Sequence, residues 1–417
     1  MLGGNGRTSI DHESGDSNGE RTRVGFSVKC VRVLGRTLRR IISMKKILFI
    51  VIPEKGHLNP SIGVAQYLQQ LGNEVCFYAV HDISEQLNKA GLPFIGPQTP
   101  SSANQGAEFT QRVRDPLWLR QWIKGLLIDQ AYEEIDFFFQ LVNGFDLVVS
   151  DPMIYSAVIA CERTNKRWVA LSNSLNPVLN NKISSELLDT VEWLGDDREQ
   201  LFQGCEVKFR GCDALSRDLT IAFTTTELTG GVVEGVHQVG GVKVLGVRGD
   251  ETDFPWERLD ASKPLIYASF GSQVYHQPEH FKKLIQSVRN KEVQLVAAVH
   301  DLEFKDVPEN VILCGYAPQL SLLEKASVLV THGGANSVME ALTASVPVLI
   351  NPICNDQFHQ AWFLERAGCG REINLEKMDA HELWGQIAWS LSVDISRVSD
   401  SYQVDGSRRA AELIHEL

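Results

Sequence analysis

What the chain lacks narrows its chemistry before any motif is read. No apolar run approaches the roughly 18–20 residues that a membrane-spanning helix needs, so no such helix is expected. Lys and Arg number 40 against 52 Asp and Glu, a formal net charge of −12. Nucleic-acid binding rests on phosphate neutralisation by cations, and a chain so short of them is not read as a nucleic-acid partner. The eight cysteines are Cys30, Cys76, Cys161, Cys205, Cys212, Cys314, Cys354 and Cys369; none forms a C-x-x-C pair or stands at finger-like spacing from a histidine. No zinc site is therefore expected, and the scattered thiols read as reduced and mostly buried in a cytoplasmic protein. A G-x-G-x-x-G after the first strand and a G-x-x-x-x-G-K-[ST] are both missing, which disfavours a dinucleotide fingerprint and a P-loop. There is also no isolated D-x-D of the kind that holds a metal ion.

What is present is an ordinary globular composition, 43% apolar and 22% charged over 417 residues, enough for two or three domains. Residues 1–20 are rich in Gly, Ser, Asp, Glu and Asn and read as disordered. Residues 21–46 turn basic, with Val, Leu and Ile between the cations. Three readings stand for this segment: an amphipathic helix with weak membrane association, a targeting segment, or a translated leader upstream of a true start at Met44. A leader over residues 1–43 is the expectation.

From residue 46 strand and helix patterns alternate. Ile47–Ile52 has strand length, Pro53–Pro60 reads as a loop, and Ser61–Leu71 as a helix closed by Gly72. Glu74–Val80, Phe145–Val149 and Trp168–Ser172 are further strands, and 100–145 reads as helical, with several Trp and Phe. Glycines cluster between Gly230 and Gly249, the best linker candidate. A second series follows, with strands at Leu265–Phe270, Gln294–Val299, Val311–Cys314, Ser327–Val330 and Val346–Asn351. The pattern predicts an α/β protein of two facing, doubly wound Rossmann-like domains, 44–235 and 236–417, with a cleft between them. Ligands of such sheets bind at the carboxyl ends of the strands.

The richest segment is a strand, Ser327–Val330, then Thr331-His332-Gly333-Gly334-Ala335-Asn336-Ser337, then a helix. Glycines let backbone approach a ligand, and a helix start offers free N–H groups and a positive dipole end. That is an anion site suited to a diphosphate, with His332, Asn336 and Ser337 as added donors. The turn Ser269-Phe270-Gly271-Ser272 repeats the strand-then-glycine design.

These residues resemble a family 1 nucleotide-sugar-dependent glycosyltransferase. The resemblance rests on Tyr316-Ala317-Pro318-Gln319, His332-Gly333-Gly334, Asn336-Ser337, Glu340, Val346-Pro347, Pro352 and Asp356-Gln357, with Gly56-His57-Leu58-Asn59-Pro60 near the first strand. It extends over nearly the whole chain from Met44. The short spacing before His332 is similar to that of bacterial macrolide-type members. The resemblance implies the GT-B fold and, residue by residue, a donor site. Tyr316 would stack on the base where relatives commonly carry Trp, and Ala317 and Gln319 would contact it. Glu340 would hold the ribose. Gly271, Ser272, His332, Gly334, Asn336 and Ser337 would surround the diphosphate. Asp356 and Gln357 would bind sugar hydroxyls.

Sugar transfer needs an acceptor oxygen made nucleophilic. His57, at the end of the first strand, has the side chain for a general base near neutral pH, and Asp151, ending another strand, would orient it. The family carries such a dyad. The expected activity is inverting transfer of a sugar, glucose as the first guess, from a UDP-sugar to a hydroxyl of a small hydrophobic acceptor. Neither metal nor cofactor is expected beyond the UDP-sugar co-substrate. Thymidine-linked donors stay open because Tyr316 replaces Trp. A lipid-linked sugar transferase at the membrane surface and a non-catalytic nucleotide-sugar-binding protein are the rivals. The acceptor pocket is expected in loops 80–145 and 172–200.

Overall fold

The computed structural model describes residues 44–98, 107–178, 186–211 and 214–417. The expected leader 1–43, with Cys30, lies outside the described residues, as do Cys212 and parts of both loops expected to shape the acceptor pocket. Among the described residues no helix is long and apolar enough to cross a membrane.

Apolar runs of strand length form two parallel six-stranded sheets. The first holds β1 (Lys46–Ile50), β2 (Glu74–Tyr78), β3 (Leu147–Ser150), β4 (Trp168–Ser172), β5 (Leu219–Ala222) and β6 (His237–Gln238), in the order β2-β1-β3-β4-β5-β6. The second holds β7 (Leu265–Ser269), β8 (Gln294–Ala298), β9 (Val311–Cys314), β10 (Ala326–Thr331), β11 (Val348–Ile350) and β12 (Gly370–Glu372), in the order β12-β11-β10-β7-β8-β9. Both are doubly wound, as the alternating pattern predicts. Period-two alternation explains their near-continuous burial: Ile47 and Phe49 enter one apolar cluster while Leu48 and Ile50 enter another on the opposite face. Phe49 stacks on Phe77 of β2 at 4.8 Å between ring centroids, a pairing worth about 0.5–1.5 kcal/mol beyond its buried area.

The stretch Pro53–Pro60 departs from expectation. Most of it is helix, because α1 runs from Lys55–Gln70 with Pro60 inside it. The Glu54 carbonyl accepts the N–H groups of His57 (2.9 Å) and Leu58 (2.8 Å), so helical turns begin before the proline. Pro60 forfeits the hydrogen bond that would run to the Gly56 carbonyl one turn back. At the other end, Gly72 takes φ +88°. Its N–H reaches the Gln69 carbonyl and that of Asn73 the Leu68 carbonyl, which closes the helix in a Schellman turn.

The boundary expected between 235 and 236 falls just before β6, whose residues His237 and Gln238 pair with Ile221 and Ala222 and complete the first sheet. Three more helices matter below: α2 (Ala335–Thr343), α3 (Gln357–Ala367) and α4 (Gly406–Glu416). α4 returns from the second sheet and packs along α1. Tyr67 donates to Asp405, Lys45 Nζ to the His415 carbonyl at 2.7 Å, and the Lys243 N–H to Ser407 Oγ at 3.0 Å.

Gly63 of α1 lies under this crossing. A Cβ there would collide with the Lys243 carbonyl oxygen and stand 2.8 Å from Ser407 Oγ. Gly63→Ala should lower unfolding free energy by about 1–3 kcal/mol, since backbone cannot yield as a side chain does. Gly144→Ala, where a Cβ meets nothing within 4 Å, should stay within about 0.5 kcal/mol. Urea unfolding of both variants checks this; equal losses would contradict it.

Candidate active site

Each sheet reverses its winding direction once, and the residues singled out in the sequence cluster at those two points. In the first sheet, β1 and β3 are neighbours but their onward connections diverge, with Ile50 opposite Ser150 at the carboxyl ends. After a four-residue turn past β1, α1 begins, and His57 stands in its first turn. Directly after Ser150 comes Asp151. Their side chains meet, His57 Nδ1 to Asp151 Oδ2, at 2.6 Å. Asp151 is 3% exposed and its other oxygen accepts the Met153 N–H at 3.0 Å. Asn173, just past β4, donates to the His57 carbonyl at 3.0 Å and reaches Asp151 Oδ2 at 3.5 Å, tying a third strand end to the pair. Burial pushes the His57 imidazole down, but the charge and hydrogen bond of Asp151, with Glu54 and Asp356, outweigh it and raise the pKa to about 9.

In the second sheet, β7 and β10 are neighbours at the same kind of reversal, with Ser269 opposite Thr331. The two glycine turns follow these ends. Gly271 takes φ +74° and Gly333 φ +95°. His332 is wedged between the turns. A Cβ on Gly271 would lie 2.6 Å from its ring, and one on Gly334 2.8 Å. Burial lowers the His332 pKa to about 4, so the ring is neutral and braces the two loops. α2 begins at Ala335 with Gly334 as its cap residue and no side-chain cap. Its first N–H groups are thus left for a ligand.

Both reversals open on one cavity of about 310 Å³. Its wall includes His57, Gly271, Ser272, Tyr316, Ala317, Gln319, His332, Gly334, Asn336, Ser337, Asp356 and Gln357. Asp151 and Glu340, also singled out in the sequence, do not line it. Asp151 backs His57, and Glu340 is 4% exposed and hydrogen-bonded to wall residues. On the first-sheet side the wall is apolar, with Phe109, Trp122, Leu126, Leu127 and Leu194. The first four come from the helical stretch 100–145 and Leu194 from the segment 172–200, the two regions in which the sequence places an acceptor pocket.

Several of the singled-out side chains are engaged differently from expectation. Gln357 Oε1 accepts the N–H groups of Ile353 (2.8 Å) and Cys354 (3.1 Å) and so holds the turn before α3. Gln319 Nε2 donates to Ser337 Oγ and to Glu340, and Asn336 Nδ2 donates to Glu340. The face of Tyr316 is covered by Lys55 Nζ, 3.7 Å from the ring centroid, and Lys55 also donates to the Tyr316 hydroxyl. Asp356, at the start of α3, has its pKa raised by burial to about 6, against the pull of His57.

Sequence reasoning did not single out Arg248, Asp250, Lys55, Asn173 or His300, all on the cavity wall. Arg248 and Asp250 fall within and just after the glycine cluster read as linker. Their signal was a charged Arg-Gly-Asp-Glu run in a segment otherwise apolar and glycine-rich. Among the described cysteines all six are free, three of them buried.

Known proteins resemble this chain in sequence and in fold. A family model described as UDP-glucoronosyl and UDP-glucosyl transferase matches residues 232–389. The chain is similar to the UDP-glucosyltransferase YojK of Bacillus subtilis, 24% identical over 370 residues that span 80% of this chain and 86% of that one. It is 29% identical over 171 residues to the oleandomycin glycosyltransferase of Streptomyces antibioticus, 38% of this chain and 40% of the other. Its fold is that of the kitacinnamycin glycosyltransferase crystal structure, with TM-score 0.67, 20% identity, and coverage of 90% of this chain and 99% of that one.

The histidine–aspartate pair makes a direct prediction. An NMR titration of His57 should give a pKa well above 6.5, near 9, and Asp151→Asn should lower it, because burial is then opposed only by the charges of Glu54 and Asp356. Because the folded-state pKa is raised, the pairing's stabilisation is complete below about pH 6.5 and lost as pH rises through about 9. The stability gap between wild type and Asp151→Asn should therefore narrow from pH 6 to pH 10. A gap that widened would contradict the assignment.

Proposed function

The chain is a glycosyltransferase of the UDP-glycosyltransferase type with the GT-B fold, and from that premise we propose that it moves a sugar, glucose in the first instance, from a UDP-sugar to a hydroxyl of a small hydrophobic acceptor. One observation carries the reading. The two sheet reversals face a single cavity, one bringing a carboxylate-backed imidazole and the other an uncapped helix start between two glycine turns.

In the proposed reaction the acceptor hydroxyl lies against His57 Nε2, the ring nitrogen not bonded to Asp151. The hydroxyl oxygen forms a bond to the anomeric carbon as the bond from that carbon to the diphosphate breaks. The electron pair leaves with the diphosphate, and the hydroxyl proton passes to His57. Attack opposite the leaving group inverts the anomeric centre. Asp151 holds the ring in orientation and balances the imidazolium formed. The N–H groups at the start of α2 and the Gly271–Ser272 turn receive the developing diphosphate charge, a fixed array that needs no reorganisation. Neither metal nor cofactor is assigned a part.

The apolar wall of Phe109, Trp122, Leu126 and Leu127 supports a hydrophobic acceptor. The names of relatives, a UDP-glucosyltransferase and an oleandomycin glycosyltransferase, support the donor and a natural-product-like acceptor. Free, buried thiols support a cytoplasmic location. A binding protein without catalysis would need no buried carboxylate behind His57.

With pKa about 9, about one His57 in a hundred is neutral at pH 7. The value of kcat/KM should thus climb from pH 7 and level off near pH 9. His57→Ala should lose roughly 10²–10⁴-fold in rate while still binding UDP in calorimetry, with or without chelator. Folded protein that bound neither UDP nor thymidine diphosphate would refute the proposal.

A further inference from the structure

Between β4 and β5 the first half presents a second helical face to the cavity, built from the helices Glu186–Trp193 and Gly195–Gly204. Leu194, between them, keeps right-handed helical backbone at φ −77° and ψ −6°. Its N–H donates to the Thr190 carbonyl and the Arg198 N–H to the Leu194 carbonyl, each at 2.9 Å, so helical turns run unbroken through the junction. Leu187, Thr190, Val191, Leu194 and Arg198 therefore fall on one face, and all five line the cavity. Three of them are apolar, like the wall around them. Thr190 and Arg198 are not, and among the described residues neither side chain has a hydrogen-bond or ionic partner.

Thr190 is 1% exposed, and a helical threonine ordinarily turns its hydroxyl back to the carbonyl one turn earlier; this one does not. Buried polar groups are almost always satisfied, so the hydroxyl calls for a partner from the cavity. Arg198 is half-buried, its guanidinium over the Phe209 ring at 4.3 Å from the centroid. Stacking engages the face of the guanidinium and leaves the N–H edge for a ligand. The carboxylates beside it in sequence are turned elsewhere: Asp197 accepts Lys124 Nζ at 2.7 Å and Glu199 accepts Gln203 Nε2 at 2.6 Å. The other lysine and arginine side chains of the wall are committed, Lys55 to Tyr316 and Arg248 to Asp250 and Glu340. Among the described residues, Arg198 is the wall cation whose N–H donors stay unused.

We propose that Arg198 anchors an anion subsite in the acceptor half of the cavity, and that the acceptor is a hydroxylated carboxylic acid with an apolar body. The inference rests on the acceptor reading above and deepens it by naming the class. A planar guanidinium edge matches a planar carboxylate with two parallel N–H···O bonds. One cation also balances the single charge of a carboxylate, whereas a phosphate ester brings close to two. Leu187, Val191 and Leu194, facing the apolar wall of Phe109 and Trp122, enclose the body. Thr190, about 12 Å from Arg198 along the helical axis, meets a polar group farther along it. A wholly apolar acceptor would strip water from both side chains and return nothing to them.

The test uses matched acceptor pairs on the full chain near neutral pH: hydroxynaphthoate, hydroxybiphenyl carboxylate and hydroxydodecanoate, each against its own carboxamide. Calorimetry gives the ratio of Kd for the carboxamide to Kd for the carboxylate. Skeleton and hydroxyl are constant within a pair, and each ratio is taken within one protein, so differences in variant stability cancel. Wild type should favour the carboxylate about tenfold in at least one pair, the strength of a charge-assisted hydrogen bond. Arg198→Leu, which keeps apolar bulk over Phe209, and Arg198→Gln, which keeps polarity without charge, should both bring that ratio to within about twofold of unity, through weaker carboxylate binding. UDP binding reports that each variant is folded. A wild type that binds UDP but favours the carboxylate in no pair, whether by equal affinity or by binding none, would overturn the proposal and leave the donor reading intact. So would a preference that both variants retain. A wild type that favours carboxylates but binds no nucleotide would keep the anion subsite and remove the donor reading.

Discussion

Two strand pairings decide where chemistry can occur in this protein. β1 lies beside β3 and β7 beside β10, and in each case the next connections run to opposite sides of the sheet. At such a junction two strand ends point outward with no helix closing over the gap between them. The ends are in register, Ile50 with Ser150 and Thr331 with Ser269, so residues one to three positions later emerge side by side. Asp151 and His332 each follow a paired end directly, and Gly271 and Gly333 by one residue more. The imidazole–carboxylate pair and the glycine-framed helix start are consequences of that one topological constraint, repeated in each half.

The charges built on this frame are close-set and largely shielded from solvent. Arg248 with Asp250 and Glu340 is a buried cluster, and Asp151 is buried behind a partly exposed His57; in each, mutual attraction offsets a desolvation cost. Such pairs add little net stability, but they hold side chains in one arrangement because every alternative leaves a charge unpaired. Asp356 completes the pattern from the second half. It lends part of the field that favours protonated His57, while burial weakens its own acidity. The base of one half is tuned in part by an acid of the other.

What could be read from the sequence is what depends on neighbours close along the chain. The strand at Lys46–Ile50, the Gly72 closure and the glycine turns at 271 and 333–334 were visible as local patterns of apolar runs and positive-φ positions. The motif from Tyr316 to Gln357 could be set against a family by spacing. The pairing of His57 with Asp151, 94 residues apart, was nameable only as a role. The extension of α1 back to Lys55 was hidden by Pro60, which marks a helix start more often than an interior. Arg248 was invisible for a different reason: its partner Glu340 is 92 residues away, and its segment reads as a glycine-rich connector. Lys55 over Tyr316 and Gln357 beneath the 353–354 turn are likewise products of packing that no local signal announces. The two-residue β6 and the three-residue β12 were too short to register as strands.

The return of α4 onto α1 bears on how proteins of this shape can be recombined. The chain crosses between its halves twice, once through the connector and once at the end, and the second crossing is fastened by Lys45, Tyr67 and Lys243. The first half as a heritable unit therefore comprises the first sheet together with the Gly406–Glu416 helix, drawn from segments far apart along the chain. A single crossover that exchanged one half between relatives would part α1 from the helix fitted to it. Grafting a new acceptor half thus takes two joints rather than one, with the final helix travelling alongside the sheet it covers.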